Sequence, residues 1–172
     1  MELGPGRGTL TCDILGATKD QGSFTTINCH LVDVSPALRK IQQEKIFDMF
    51  TKWNSPLTYK EQDGREMLFM ENFSATWYKS FSEVSARLAL SRNPGLIVAH
   101  ELFDALPVHQ FEYDGSEWLE RRVVLEDEKF VLQPRPHENV EKILKPEKVF
   151  VDAKLSTGDR YELAYDSLVL MN

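Results

Sequence analysis

The sequence predicts an α/β fold with a parallel sheet, to which an antiparallel β-meander is appended. Three observations predict it. A glycine-rich turn at residues 4–8 precedes a helical pattern, and an apolar strand signal follows at residues 27–33. A later apolar run at residues 96–99 predicts another strand of the same sheet. Between residues 108 and 132, three short β-like runs are separated by turn signals, as in a meander.

The elements near the start of the chain have the clearest signals. Apolar residues recur at helical spacing within residues 8–17, which predicts a helix there. The run at 27–33 is short and mostly apolar, which is typical of a buried strand. Ser35 and Pro36 then predict the start of a second helix, because serine is a favoured N-cap and proline suits the first helical turn. We expect its apolar face to contain Leu38, Ile41, Ile46 and Phe47.

The middle of the chain is less regular. Residues 52–65 are rich in turn formers, and residues 67–70 are compatible with a strand. A third helix is expected over residues 77–90, and a break follows at residues 93–95. The apolar run at 96–99 is expected to be a buried strand. The residues that predict the third helix are Phe81, Val84 and Leu88.

The second half of the chain has shorter, strand-like runs. Asp114 and Gly115 form a strong hairpin signal between two of them. Prolines at both ends of residues 134–136 are expected to end the meander, and residues 138–144 are expected to form a short helix. The run at 161–170 receives no assignment. The expected strands of the meander are residues 108–113, 118–125 and 129–132.

Composition excludes several functional classes. The chain has 172 residues, with 20 Lys and Arg against 27 Asp and Glu, so its net charge is −7. This balance argues against a phosphate-tracking nucleic-acid binder, so no nucleic-acid partner is expected. No apolar run approaches the roughly 18 residues of a membrane span, and no targeting peptide is visible. Cys12 and Cys29 fit neither a disulfide framework nor a zinc pattern, so no metal site is expected.

The most informative motif is the glycine turn. Glycines 4, 6 and 8 allow a sharp turn and close ligand approach, and a helix N-terminus with free N–H groups follows. A dinucleotide fingerprint requires glycine at position 9, which is Thr9 here. Glu2 instead precedes the glycines, and a carboxylate suits a ligand that carries an amine. The motif therefore favours S-adenosylmethionine over NAD, although a dinucleotide enzyme remains a second interpretation.

An acidic residue follows the next strand. Asp33 lies where α/β nucleotide-binding sheets place a carboxylate that accepts hydrogen bonds from ribose hydroxyls. The combination of a glycine turn and an acidic strand end is more specific than either feature alone. The alternative interpretation is a tight turn together with a helix-capping aspartate.

Two carboxylates follow the run at 96–99. Glu101 and Asp104 would lie beyond the carboxyl end of that strand, where open parallel sheets bind ligands. Two carboxylates can bind a guanidinium through paired hydrogen bonds and orient one nitrogen for attack. The alternative is that they cap a helix. Trp77 could similarly stack on an adenine or pack in the core.

Three motifs resemble one family. ELGPGRGTL at residues 2–10, LVDVSPAL at 31–38 and AHELFDALPVHQF at 99–111 resemble the MidA-like class I methyltransferases, which include mitochondrial protein arginine methyltransferases that assist complex I assembly. The resemblance implies a Rossmann-like sheet and methyl transfer from S-adenosylmethionine to an arginine of a complex I subunit in the mitochondrial matrix. Asp33 stands where the family more often has glutamate. The implied cofactor-binding residues are Glu2, Gly4, Pro5, Gly6, Gly8 and Asp33, with Glu101 and Asp104 beside the reacting methyl group.

The resemblance also bears on how the chain is organised. Residues 1–107 are expected to form the cofactor-binding α/β part, residues 108–133 a β-meander insertion, and residues 134–172 a part of uncertain role. Together they are expected to be one methyltransferase domain that is truncated at both ends. The truncation motivates a different hypothesis, in which the chain is a non-catalytic interaction module of the same family.

Overall fold

A computed structural model describes residues 1–22, 26–88, 95–136, 138, 140–144 and 154–164. The chain divides into two compact units, Met1–Leu102 and Phe103–Asn172. The first unit contains the α/β elements and the second contains the meander strands.

The sheet of the first unit has five strands in the order β1-β2-β5-β4-β3. Parallel pairing joins β1 to β2 and β2 to β5, whereas β3, β4 and β5 pair antiparallel. The α/β class is thus confirmed, but the sheet is mixed rather than parallel throughout. The strands are β1 (Glu2–Leu3), β2 (Ile27–Val32), β3 (Thr58–Gln62), β4 (Arg65–Met70) and β5 (Phe73–Tyr78).

A two-residue turn explains the antiparallel part of this sheet. Asp63 and Gly64 join β3 to β4 with φ angles of 54° and 71°. A tight hairpin turn with positive φ at both central residues matches the twist of the strands that it joins, and aspartate followed by glycine is a favoured pair for it. The prediction that residues 52–65 are only turn-rich therefore missed β3.

Three helices accompany this sheet: α1 (Thr9–Asp20), α2 (Pro36–Lys52) and α3 (Phe81–Leu88). Ser35 is the N-cap of α2, as predicted, and its hydroxyl oxygen accepts a hydrogen bond from the Leu38 amide at 3.3 Å. The predicted apolar face of α2 is wrong in part, because Phe47 is exposed. The residues that α2 buries are Arg39, Gln42, Ile46 and Phe50.

Two predictions in the middle of the chain are corrected. The helix expected over residues 77–90 begins at Phe81, because Trp77 and Tyr78 end strand β5. In the run expected to be a buried strand, Val98 forms a single parallel bridge with Glu2, while Leu96 and Ile97 are 65% and 60% exposed. Apolar composition predicts burial only where other elements cover the side chains, and the described residues leave these two uncovered.

The first unit contains two apolar clusters. The larger includes Leu15, Leu31, Ile46, Phe50 and Trp77. The smaller joins Leu3, Val32, Tyr78 and Val84, and Leu102 packs against it. The clusters immobilise the ends of β1, β2 and β5, from which the candidate site emerges. No helix in the described part of the chain has both the length and the apolar character needed to cross a lipid bilayer.

The second unit has a four-stranded antiparallel sheet in the order β8-β7-β6-β9. This arrangement confirms the β-meander. Residues 134–136 end the meander as predicted, because β8 ends at Arg135. Pro134 lies within β8, and an edge strand tolerates a residue without an N–H. The run at 161–170 begins within β9, and its residues 165–170 lie outside the described residues. The elements are β6 (His109–Tyr113), β7 (Trp118–Glu126), β8 (Lys129–Arg135), α4 (Val140–Leu144) and β9 (Arg160–Leu163).

Candidate functional site

The site begins where β1 and β2 end side by side. Parallel register pairs Leu3 with Val32, so the residues that follow them, Gly4 and Asp33, leave the sheet at the same edge. The Gly4 amide donates to the Val32 carbonyl at 2.9 Å, and the Asp33 amide donates to the Tyr78 carbonyl at 3.0 Å. Ligands of open α/β sheets bind at this carboxyl edge of parallel strands.

The glycine loop, residues 4–8, turns sharply from β1 into α1. Gly4, Gly6 and Gly8 have φ angles of 63°, 54° and 72°, a region that side chains disfavour. A Cβ at Gly4 would lie 2.9 Å from Leu102 Cδ1, whereas one at Gly6 would have no atom within 4 Å. The backbone at Gly6 therefore faces open space, where a ligand can approach it closely.

The glycine loop leads into α1, whose first backbone N–H groups donate no hydrogen bond to a capping side chain. The Gly8 amide donates to the Pro5 carbonyl at 2.7 Å, which closes the loop on itself. Gly8 is the N-cap of α1 and supplies no side chain to satisfy the first N–H groups of that helix. The first helical N–H groups are thus available to acceptors on a ligand.

Glu2 is a buried carboxylate at the base of the loop. The hydroxyl of Thr11 on α1 donates to its Oε2 atom. This contact connects β1 to the first turn of α1 and fixes the carboxylate next to the glycine loop. A buried anion here is suited to a positively charged amine.

Asp33 is also buried and has defined partners. Its Oδ1 accepts from the Ser35 amide at 2.9 Å, which is a local turn contact at the start of α2. Its carbonyl oxygen accepts from Arg39 Nη1 at 2.9 Å, and Arg39 Nε in turn donates to Glu66 at 3.2 Å. The N-cap of α2 is Ser35, so Asp33 closes the turn before that helix rather than capping it, and its carboxylate retains further lone pairs for a ligand.

One residue connects the loop and Asp33. Gln42 on α2 is fully buried, and its Nε2 donates to the Gly6 carbonyl at 2.7 Å and to Asp33 Oδ2 at 2.9 Å. Its Oε1 accepts from Trp77 Nε1 at 2.8 Å. Trp77 is thus a core residue with a satisfied indole N–H, which favours the core interpretation over stacking on adenine.

A cleft of about 430 Å³ opens beside this network. Arg39 forms one wall, and residues at the end of β5 form another. Its lining includes neither Glu2, nor the glycine loop, nor Asp33, so this cleft is separate from the predicted cofactor contacts. Side chains of both charges line it, among them Arg39, Glu61, Arg65, Glu66, Lys79 and Glu83.

The two predicted catalytic carboxylates, Glu101 and Asp104, lie in the sequence on either side of the boundary between the two units. Glu101 is exposed near the end of the first unit, with a φ of 48°. Asp104 is exposed in a 3-10 turn, Phe103–Ala105, at the start of the second unit. The structure brings Glu2, the glycine loop and Asp33 together within the first unit, and both catalytic assignments stay predictions.

The cysteine thiols are unsuited to nucleophilic chemistry. Burial raises the pKa of the Cys29 thiol to about 11 and also raises the pKa of Cys12. Thiolates are the reactive form, so both groups remain protonated near neutral pH. In the part of the chain that the structure describes, no group of three His, Cys, Asp or Glu side chains could hold a metal ion.

The residues present fit S-adenosylmethionine. The space at Gly6 is open, the start of α1 has no side-chain cap, and the buried carboxylates of Glu2 and Asp33 are acceptors of the kind that an amine and hydroxyls require. Sequence reasoning missed Gln42 and Arg39. The available signal was their position at the helical spacing of Ile46 and Phe50, where polar residues interrupt a buried stripe.

A parallel strand pair with a glycine loop after one strand and an acidic residue after the next defines a Rossmann-like domain. All 172 residues match the model of a family described as "Putative S-adenosyl-L-methionine-dependent methyltransferase". The chain therefore belongs to this family of S-adenosylmethionine-dependent methyltransferases, and the class inferred from the three sequence motifs is confirmed.

Relatives and a solved structure agree with this assignment. The mitochondrial protein arginine methyltransferase NDUFAF7 of Danio rerio is 35% identical over 149 residues, covering 79% of this chain and 32% of the relative. The Homo sapiens protein of that name is 33% identical, covering 78% of this chain and 30% of the relative. The chain thus spans about a third of the length of the curated relatives that it matches.

The structural match extends further along the chain. A candidate methyl transferase from Burkholderia thailandensis, crystallised with S-adenosyl-homocysteine, superimposes with a TM-score of 0.59 at 22% identity. The match covers 98% of this chain and 36% of that protein. It shows that the chain has the methyltransferase fold of that protein.

Proposed function

We propose that the chain forms the cofactor-binding part of a protein arginine methyltransferase that transfers a methyl group from S-adenosylmethionine. The observation that carries the proposal is the contact of Gln42 Nε2 with both the Gly6 carbonyl, at 2.7 Å, and Asp33 Oδ2, at 2.9 Å. That contact joins the two most specific elements of the sequence pattern into one site. The names of the relatives support arginine as the methyl acceptor.

Each element of the site has a distinct role in this proposal. S-adenosylmethionine, when bound, supplies an electrophilic methyl group. Glu2 holds the amine of the methionine part, and residues 4, 5, 6 and 8 shape the loop beneath it. Asp33 accepts hydrogen bonds from the ribose hydroxyls. No metal takes part in this scheme.

Substrate binding is assigned to the two exposed carboxylates. Glu101 and Asp104 bind the guanidinium of the substrate arginine through charge-assisted hydrogen bonds. They orient one nitrogen towards the methyl group and stabilise the positive charge of the acceptor. The relatives are named mitochondrial, and we assign this chain to the mitochondrion, in the matrix, with a complex I subunit as its substrate and complex I assembly as its role.

The test is transfer of labelled methyl groups to mitochondrial proteins, with modified arginines identified by mass spectrometry. Glu101→Gln and Asp104→Asn should each lower the methylation rate at least tenfold, because charge-assisted hydrogen bonds to the guanidinium are lost. Binding of S-adenosyl-homocysteine should be unchanged. Glu71→Gln, at an exposed turn between β4 and β5, is the matched control. Unchanged methylation in both variants would contradict the assignment of these carboxylates.

One observation favours a second candidate function, a non-catalytic interaction module. On the hairpin of β7 and β8, Val123 is paired with Leu132 and Leu125 with Phe130, and all four side chains are exposed. Exposed apolar clusters mark interaction surfaces. A folded chain that binds a complex I subunit without binding S-adenosyl-homocysteine would select this function.

A further inference from the structure

The amide of Gln42 has only one orientation that satisfies its neighbours. An indole N–H can only donate, so the atom that faces Trp77 Nε1 at 2.8 Å is the amide oxygen. The NH₂ group of Gln42 must then face the Gly6 carbonyl and Asp33 Oδ2, both of which accept. The indole of Trp77 in the core therefore donates to Gln42, and Gln42 donates to acceptors at the edge of the sheet.

Gln42 also packs against the glycine loop at a second position, Gly8. A Cβ at Gly8 would lie 3.3 Å from Gln42 Cγ, so the last glycine of the loop rests directly on the Gln42 side chain. Gln42 is fully buried and touches the loop at both Gly6 and Gly8. A residue in this position sets the distance between the glycine loop and Asp33.

We infer that Gln42 is a positioning residue for the cofactor, which it does not contact itself. The inference rests on the proposed function, because it assigns the glycine loop and Asp33 to the two ends of one ligand. Gln42 holds the Gly6 peptide and the Asp33 carboxylate at a fixed separation before the ligand arrives. Pre-organisation of this kind reduces the cost of ordering the site on binding.

A pair of variants at Gln42 separates positioning from packing. Gln42→Glu keeps the shape of the side chain but places a second carboxylate against Asp33 and the Gly6 carbonyl. Repulsion between the two carboxylates raises the pKa of the new group, and its protonated form regains a donor. Gln42→Met keeps the length and removes both donors at every pH. Gln21→Glu makes the same chemical change at the exposed C-cap of α1 and is the matched control.

The measurement is the Kd of S-adenosyl-homocysteine, expressed relative to the original chain at the same pH. Besides Asp33, the charged groups of this network are Arg39, which binds the Asp33 carbonyl, Glu66, which binds Arg39, and Lys45, which binds Thr9 near the loop. The ratio of Kd values at one pH removes any dependence on pH that the variants share with the original chain. Circular dichroism and thermal melting report whether each variant folds.

We expect both Gln42 variants to lose affinity for S-adenosyl-homocysteine, and a lower pH to restore it only in Gln42→Glu. At about pH 8, both Gln42→Glu and Gln42→Met should bind about tenfold more weakly, because hydrogen bonds to a charged group are lost. At about pH 5.5, Gln42→Glu should recover to within about threefold of the original chain, whereas Gln42→Met should not. Gln21→Glu should match the original chain throughout.

Two results would overturn the inference. One is that folded Gln42→Glu and Gln42→Met bind as tightly as the original chain at about pH 8. The other, which decides the matter even where Gln42→Met fails to fold, is a Gln42→Glu affinity ratio that does not change with pH.

A ligand-free measurement distinguishes this inference from the proposed function. If the folded original chain does not bind S-adenosyl-homocysteine, the proposed function fails. The coupling through Gln42 is then judged by the indole N–H resonance of Trp77, which Trp77→Phe identifies in the NMR spectrum. Asp33→Asn should shift this resonance if Gln42 connects the two residues, and an unshifted resonance would contradict the connection.

Discussion

The two units of the chain bury different kinds of side chain. In the first unit, Glu2, Thr11, Asp33, Arg39 and Gln42 are buried polar residues grouped around the glycine loop. In the second unit, the buried cluster is apolar and small, and Glu120 is a buried polar residue there, bound by His109 and Arg122. One face of its outer hairpin exposes Val123, Leu125 and Phe130.

The difference shows how each unit relates structure to function. A buried polar group is costly unless it is hydrogen-bonded, so a connected set of them indicates a site whose geometry must be fixed. An exposed apolar face carries no such requirement and is typical of a surface that other chains cover. The polar network of the first unit is therefore the region to test for ligand binding, and the exposed apolar face of the second unit is the region to test for partner binding.

The largest expected effect tests whether the units are also separate in stability. Phe50 is a fully buried core residue of the first unit, and Phe111 is one of the second. Phe50→Ala and Phe111→Ala should each lower the free energy of unfolding by about 3–5 kcal/mol through lost burial and a residual cavity. Hydrogen exchange should assign each loss to its own unit.

The exposed Phe130 is the control for both substitutions. It is 81% exposed, so Phe130→Ala should change stability by less than about 0.5 kcal/mol. Loss of protection in both units from a single core substitution would contradict their independence.

The next effect concerns the glycine loop. Gly6→Val should weaken binding of S-adenosyl-homocysteine at least tenfold, because its side chain fills the open space at the loop and its φ of 54° disfavours a branched residue. Calorimetric titration measures the affinity.

Gly22→Val shares the backbone cost of this change without touching the loop. Gly22 has a φ of 67° and open space around its Cβ position, so this variant should lose about 1–2 kcal/mol of stability and retain its affinity. If the two variants lost affinity equally, the effect would be one of stability rather than of the site.

A smaller effect is expected at the turn between β6 and β7 in the second unit, where the hydrogen bonds to Asp114 depend on pH. Hydrogen bonds from the Glu117 and Ser116 amides lower the pKa of Asp114 in the folded chain. Since the folded-state pKa lies below the unfolded one, the contribution to stability is present above the unfolded value and is lost as pH falls through the folded value. The protection factors of the Ser116 and Glu117 amides, corrected for the intrinsic exchange rate at each pH, should fall once the pH drops below the ordinary pKa of an aspartate. The same turn in Asp114→Ala should show no such dependence on pH.

The smallest effect concerns the rate at which the cysteine thiols react, not the stability of the chain. With a pKa of about 11, the Cys29 thiol is almost fully protonated at neutral pH. A thiol reagent should react slowly with the native chain and rapidly with both cysteines after unfolding. Rapid reaction of the native chain would show that the strand region around Cys29 opens readily.

Local signals in the sequence predicted some elements well. Ser35 and Pro36 specify the start of α2 through a hydrogen bond within four residues, and Asp114 and Gly115 specify a hairpin in the same local way. Such contacts depend only on neighbouring residues. The glycine loop was predictable for a similar reason, since a turn with positive φ angles favours glycine at those positions.

Elements that depend on distant partners were harder to predict. Trp77 has the same spacing from Phe81 as residues of one helix face, yet it pairs with Leu31 in the sheet. Gln42 looks like a surface residue until its three partners, which lie on different elements, are known. Sequence spacing reports periodicity, whereas burial of a polar side chain depends on what the fold brings to it.

The most direct test of the central claim is calorimetric titration of the folded chain with S-adenosyl-homocysteine. We expect saturable binding at one site, and at least a tenfold loss of affinity in Asp33→Ala with the fold retained, because the ribose hydroxyls lose a charged acceptor. Asp20→Ala, at the end of α1, should bind normally. A folded chain that binds no ligand, or an Asp33→Ala variant that binds as tightly as the original, would contradict the claim that the glycine loop and Asp33 form one cofactor site.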